Sequence, residues 1–95
     1  MVVGVLRLEL FLAENHSLKG KRSVLRMIKA RVQNKFNVSI AECEDHDIWQ
    51  TAVMGVSQVG ADQPHVDRCL REVISFIEDL HIAEVGEERV EFLHY

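Results

Sequence analysis

Three groups of residues in this 95-residue chain have the side-chain types that chemistry needs. The segment "ECEDHD", residues 42–47, gathers Cys43, His46 and the carboxylates Glu42, Glu44, Asp45 and Asp47. These are donor types of transition-metal sites, but a site needs donors that converge on one point with defined geometry. Crowded into one short run, with no paired spacing, they read as a polar turn and not as a metal site. His16 beside Ser17 could be drawn as base and nucleophile. Sequence neighbours seldom meet that geometry, and Ser17 fits a helix N-cap, where its hydroxyl accepts from a free backbone N–H. The third group is cationic. "NHSLKGKR", Asn15–Arg22, opens a window, residues 17–36, that holds Lys19, Lys21, Arg22, Arg26, Lys29, Arg31 and Lys35 and not one Asp or Glu.

That window stands against a chain of net charge -4. Its fifteen acids all lie elsewhere, so the molecule is polarised: one cationic segment on an anionic body. Lys19, Arg22, Arg26 and Lys29 follow i, i+3, i+7, i+10, which makes one stripe on a helix, with Lys21, Arg31 and Lys35 assigned to the opposite border. Like charges at such spacings repel by roughly 0.2–0.5 kcal/mol per neighbouring pair. A helix shaped for stability alone would intersperse glutamates. The chemistry this stripe suits is the binding of phosphate, helped by the free N–H groups and partial positive charge of the helix start. The competing reading is a solvated face neutralised by acids from the sheet or the second helix. Aromatics for base stacking are few, so RNA binding here would work through backbone and shape.

The elements that position this stripe follow from periodicity. Residues 2–12 alternate: Leu6, Leu8, Leu10 and Leu12 share one face of a strand, and Val5, Arg7, Glu9 and Phe11 share the other. Residues 18–36 form an amphipathic helix on Leu25, Ile28, Val32 and Phe36, with Leu18 and Val24 flanking and Asn34 and Asn37 at its exit. A short strand at 38–43 and a polar turn at 44–47 precede a long strand at 48–59. Asp62 caps a second helix that buries Val66, Leu70, Val73, Ile77 and Leu80, and "GEERVEFLHY" closes the chain as a last strand that residues 82–85 extend or lead into. The order β-α-β-β-α-β predicts an α+β, ferredoxin-like sandwich of residues 1–95 as a single domain. Its four-stranded antiparallel sheet has the first and third strands at the centre and two helices on one face.

Within that fold, enzymes and metal carriers have recognisable loops after the first strand. Small phosphatases of this architecture need a glycine-rich anion loop, and metal chaperones need C-x-x-C; here the loop is "AENHS". There is no P-loop and no nucleophile elbow. The reading is therefore non-enzymatic, with no catalytic residues, no cofactor and no metal. Arg7 and Glu9 interrupt the apolar start, which predicts no secretory segment and a cytoplasmic location. Cys43 and Cys69 are read as reduced, buried or half-buried thiols. Trp49 is read as an anchor of the core or of the start of the third strand, or alternatively as an exposed contact for a partner.

"NHSLKGKRSV", "FNVSIAE" and "DIWQTAVMGV", in this order, resemble the YlxP-like family of small bacterial proteins of unknown function. The most specific stretch is S-L-K-x-K-R, residues 17–22; the family commonly has an acid at x, where this chain has Gly20. That exchange removes a capping-box partner of Ser17 and predicts a looser first turn. The resemblance implies the same ferredoxin-like fold. It also implies, through gene neighbours encoding an initiation factor and a ribosome-binding factor, a role near ribosomes or RNA. The combined expectation is an RNA- or ribosome-associated protein whose Lys19, Lys21, Arg22, Arg26 and Lys29 contact phosphates. The partner is RNA or a ribosomal particle and no membrane. The alternative is a protein-interaction or self-assembling module, with a homodimer as one form, using the open sheet face or an edge strand.

Overall fold

The computed structural model describes residues 1–95 as β1 (Val2–Phe11), α1 (Leu18–Lys35), β2 (Ser39–Glu44), β3 (Thr51–Gly60), α2 (Gln63–Asp79) and β4 (Glu84–His94). The strands form one antiparallel sheet in the order β2-β3-β1-β4. This is the ferredoxin-like α+β sandwich that the element order predicts, with β1 and β3 central.

Alternation in β1 decides which face is covered. Leu6, Leu8 and Leu10 are wholly buried and cluster with Met54 and Val56 of β3, Leu25, Ile28 and Val32 of α1, and Val66, Leu70, Val73 and Ile77 of α2. Val5 and Phe11 point to the other face and stay exposed. Gly4 sits on the covered face, where a Cβ would lie 2.4 Å from Val66 Cγ1 and 2.8 Å from Leu70 Cδ1, so glycine lets α2 pack directly on the strand. Helix α2 starts as expected, with the Asp62 side chain accepting from His65 N at 2.9 Å. No helix is long and apolar enough to cross a membrane.

Several boundaries differ from the sequence reading by a residue or more, and three of them have a local reason. Helix α1 ends at Lys35, because Phe36 takes extended backbone angles while its N–H still bonds Val32 O. Strand β2 runs on to Glu44, and a bulge between Glu42 and Glu44 leaves Cys43 as the extra residue, exposed and not buried. Strand β3 begins at Thr51 and not at residue 48. Ile48 and Trp49 have strand-forming side chains, but their carbonyls are taken by side chains from the β1–α1 loop and α1, as described next.

Candidate nucleic-acid interface

The start of α1 is built by its cap. Ser17, in extended conformation, accepts from Gly20 N at 2.9 Å, and Lys21 N bonds Ser17 O. No acid occupies the first turn. The space a side chain at position 20 would use is filled instead by Asn15, whose Oδ1 would stand 2.4 Å from a Cβ there. Asn15 Nδ2 donates to Ser17 O at 2.8 Å and to Trp49 O at 2.6 Å. Gly20 therefore does not simply loosen the turn. It makes room for a carboxamide that ties the helix start to the β2–β3 loop.

Four of the five expected contact residues lie where a ligand could reach them. Lys19, Arg22 and Arg26 are exposed and Lys29 is half-buried, all on α1. Lys21 is not available and corrects the expectation. It is 1% exposed, and its ammonium bonds Ile48 O at 2.7 Å and Asp45 O and pairs with Glu42 Oε2 at 2.9 Å. The physical reason is helical geometry: Lys21 precedes Leu25, Ile28 and Val32 at steps of four, three and four, so it belongs to the buried stripe itself. The side chain runs along the core and ends in a polar pocket made by the inward acid of β2 and two loop carbonyls. The role of Lys21 is to fasten α1 to the β2–β3 loop, where Asp45 adopts a left-handed φ of 64°. The sequence carried two signals for this: a cation in register with the apolar stripe, and Glu42 alternating with Ile40 on the inner face of β2.

No other cation of the basic helix forms an ion pair with an acid of the chain. The ion pairs of the chain join Arg7 to Glu9 and Glu44, Lys21 to Glu42, Arg71 to Asp67 and Glu88, and Arg89 to Glu87. Lys21 is thus the one α1 cation that the body neutralises. Lys35, at the far end, lies over the rings of Phe76 at 4.9 Å and Phe36 at 5.7 Å. Trp49, in the loop held by Asn15 and Lys21, is 52% exposed, and Ile48 beside it is exposed too. Trp49 is therefore a surface residue close to the helix start and no core anchor.

The acids gather elsewhere. A hollow of about 530 Å3 between the β1–α1 loop and the α2–β4 connection is lined by Glu14, Glu78, Asp79, His81 and Glu84 with Phe11. On the open sheet face the Arg7 guanidinium donates to Glu44 at 2.8 Å. That bond and the attraction behind it hold the Glu44 carboxyl below the usual carboxylate range and raise Arg7 further.

A family model described as "Protein of unknown function (DUF503)" matches residues 3–90. The chain is 36% identical over 91 residues to a protein of Bacillus subtilis (strain 168) described as "Uncharacterized protein YlxP", and the match spans 96% of this chain and 99% of that one.

Proposed function

The chain belongs to the YlxP-like, DUF503 family of proteins of unknown function, and within it we propose a non-enzymatic, cytoplasmic protein that associates with RNA or a ribosomal particle through α1. One observation carries this reading. Lys19, Arg22, Arg26 and Lys29 form an accessible stripe that no acid of the same chain pairs with, although acids outnumber bases in the molecule. Repulsion along such a stripe is relieved when phosphates displace its counterions. The exposed Trp49 near the helix start supplies a ring on which an unpaired base can stack. Phosphate contacts of this kind position a nucleic acid without reading its sequence, so the partner is selected by shape and charge.

The experiment is capture of the tagged protein from lysate at moderate salt, followed by sequencing of bound RNA and identification of bound proteins. Enrichment of ribosomal RNA or of ribosomal particles over a variant with Lys19, Arg22 and Arg26 replaced by glutamine supports the reading. Equal recovery with both proteins removes it. A second reading, a self-associating or protein-binding module, is favoured by the far end of the open sheet face. There Val59 and Leu93 flank Val3 in register and are exposed, next to Met1 and Tyr95.

A further inference from the structure

The two edges of the sheet are treated differently. Strand β2 is six residues long and interrupted by a bulge, which are common ways of blunting a free edge. Strand β4 is eleven residues long, and its one irregularity against β1 falls at Leu8/Leu10, leaving the half from Glu88 onward regular. Met1 N donates to Tyr95 O at 3.0 Å and Tyr95 N to Met1 O at 2.8 Å, so this pair exchanges both hydrogen bonds. Antiparallel pairs alternate, so Leu93, Glu91 and Arg89 bond β1, whereas Phe92, Val90 and Glu88 turn their N–H and C=O groups to the free side. That free side is a regular row of unmet backbone donors and acceptors.

We propose that β4 pairs antiparallel with β4 of a second copy, about a two-fold axis at Val90, so that two sheets join into one of eight strands. About six backbone hydrogen bonds form between the outward residues Glu88, Val90 and Phe92 of the two copies. The charges select this register. With the axis at Val90, Arg89 on the open face lies opposite Glu91 of the second copy, twice, and on the helix side Val90 meets Val90. Moving the axis to Arg89 sets Arg89 against itself and Glu87 against Glu91. Moving it to Glu88 or to Glu91 sets that glutamate against itself. Like charges directly opposite are destabilising and unlike ones stabilising.

The single chain leaves both partners wanting. Arg89 has Arg7 directly opposite it on β1, with only Glu87 paired to it at 3.4 Å. Glu91 stands opposite Val5 and takes part in no ion pair within the chain. The second copy supplies the missing cation to Glu91 and an added anion to Arg89. The half-buried Val90 and Phe92 lose their remaining exposure in the same contact.

The test is light scattering and sedimentation of the full chain over about 1 to 200 µM, the span in which micromolar association is read. The wild type is expected to move from monomer to dimer. Arg89→Glu weakens dimerisation by about tenfold or more, since two unlike pairs become like ones. Its fold is spared, because Glu at position 89 would face Arg7. The double variant Arg89→Glu/Glu91→Arg reverses both charges and restores the dimer. Val90→Pro removes an N–H that no group of the same chain uses, a change tolerated on an edge, and yields a monomer of unchanged secondary structure. A wild type that stays monomeric throughout overturns the proposal. So does a dimer indifferent to Val90→Pro, which would place the contact on the sheet face, and so does a charge-reversed pair that fails to regain the dimer.

Discussion

Replacing Lys21 by methionine separates the structural cation of α1 from those left for a partner. Methionine keeps the aliphatic stem and helix propensity and removes only the ammonium. The ammonium is almost fully enclosed, its side chain 2% exposed, and it serves Glu42, Ile48 O and Asp45 O together. Without it a carboxylate of 19% side-chain exposure and two loop carbonyls lose their partner. Breaking a fully buried pair from one side costs about 3–5 kcal/mol; the residual solvent access of Glu42 lowers this to about 2–4 kcal/mol. For a domain of this size each kcal/mol moves Tm by about 4–8 °C, so calorimetry should show a fall of roughly 8–32 °C. Adding Glu42→Leu removes the stranded charge and should recover more than half of the loss, because an apolar pair of similar volume replaces the ionic one. An unchanged Tm for Lys21→Met, or a double variant no more stable than the single, would refute the assignment of Lys21 to the core.

Two further outcomes test the packing and the open face. Leu10→Ala, at a wholly buried site in the centre of the sheet, should cost about 2–5 kcal/mol by denaturant titration, and a loss below 1 kcal/mol would contradict the strand register. Glu44 has a carboxyl pKa lowered in the folded chain by the Arg7 hydrogen bond. Its contribution is therefore complete above the ordinary carboxylate range and disappears as pH falls through its lowered value. Arg7→Gln should flatten that acid limb of the stability curve, and an identical limb in the variant would show that the pair carries no linkage.

The fold was legible because period and burial agree. Leu6, Leu8, Leu10 and Leu12 alternate with polar residues on a strand whose other face stays open, and Val66, Leu70, Val73 and Ile77 repeat at helical steps above it. Asp62 and Ser17 mark the helix starts by a chemistry that acts within one turn. What could not be read locally depends on contacts between distant segments. Lys21 stands in register with the apolar stripe, but the groups that hold its ammonium, Glu42 and the carbonyls of residues 45 and 48, come from a segment more than twenty residues away. Ile48 and Trp49 have strand propensity, yet Asn15 and Lys21 claim their carbonyls and hold them in a loop. Cys43 follows the inward Glu42 and so falls on the outer face by alternation, whereas the bulge that makes it the extra residue is set by the pairing of β2 with β3. The stripe of Lys19, Arg22, Arg26 and Lys29 was visible as a pattern, but its freedom from internal acids is a property of the assembled chain.

Salt dependence of RNA binding, measured side by side on the wild type and on the Lys19→Gln/Arg22→Gln/Arg26→Gln variant, tests the proposed role of α1 most directly. Four cations engaging phosphates on a single strand give a log–log slope of about -3, at about -0.7 per contact. The triple variant should bind much more weakly, with a slope reduced by about 2, which is three contacts' worth. Its Tm should be unchanged or slightly higher, since glutamine preserves helix propensity and relieves the repulsion along the stripe. Affinity and slope that match the wild type in a folded variant would contradict the account, and the basic helix would then be a solvated face.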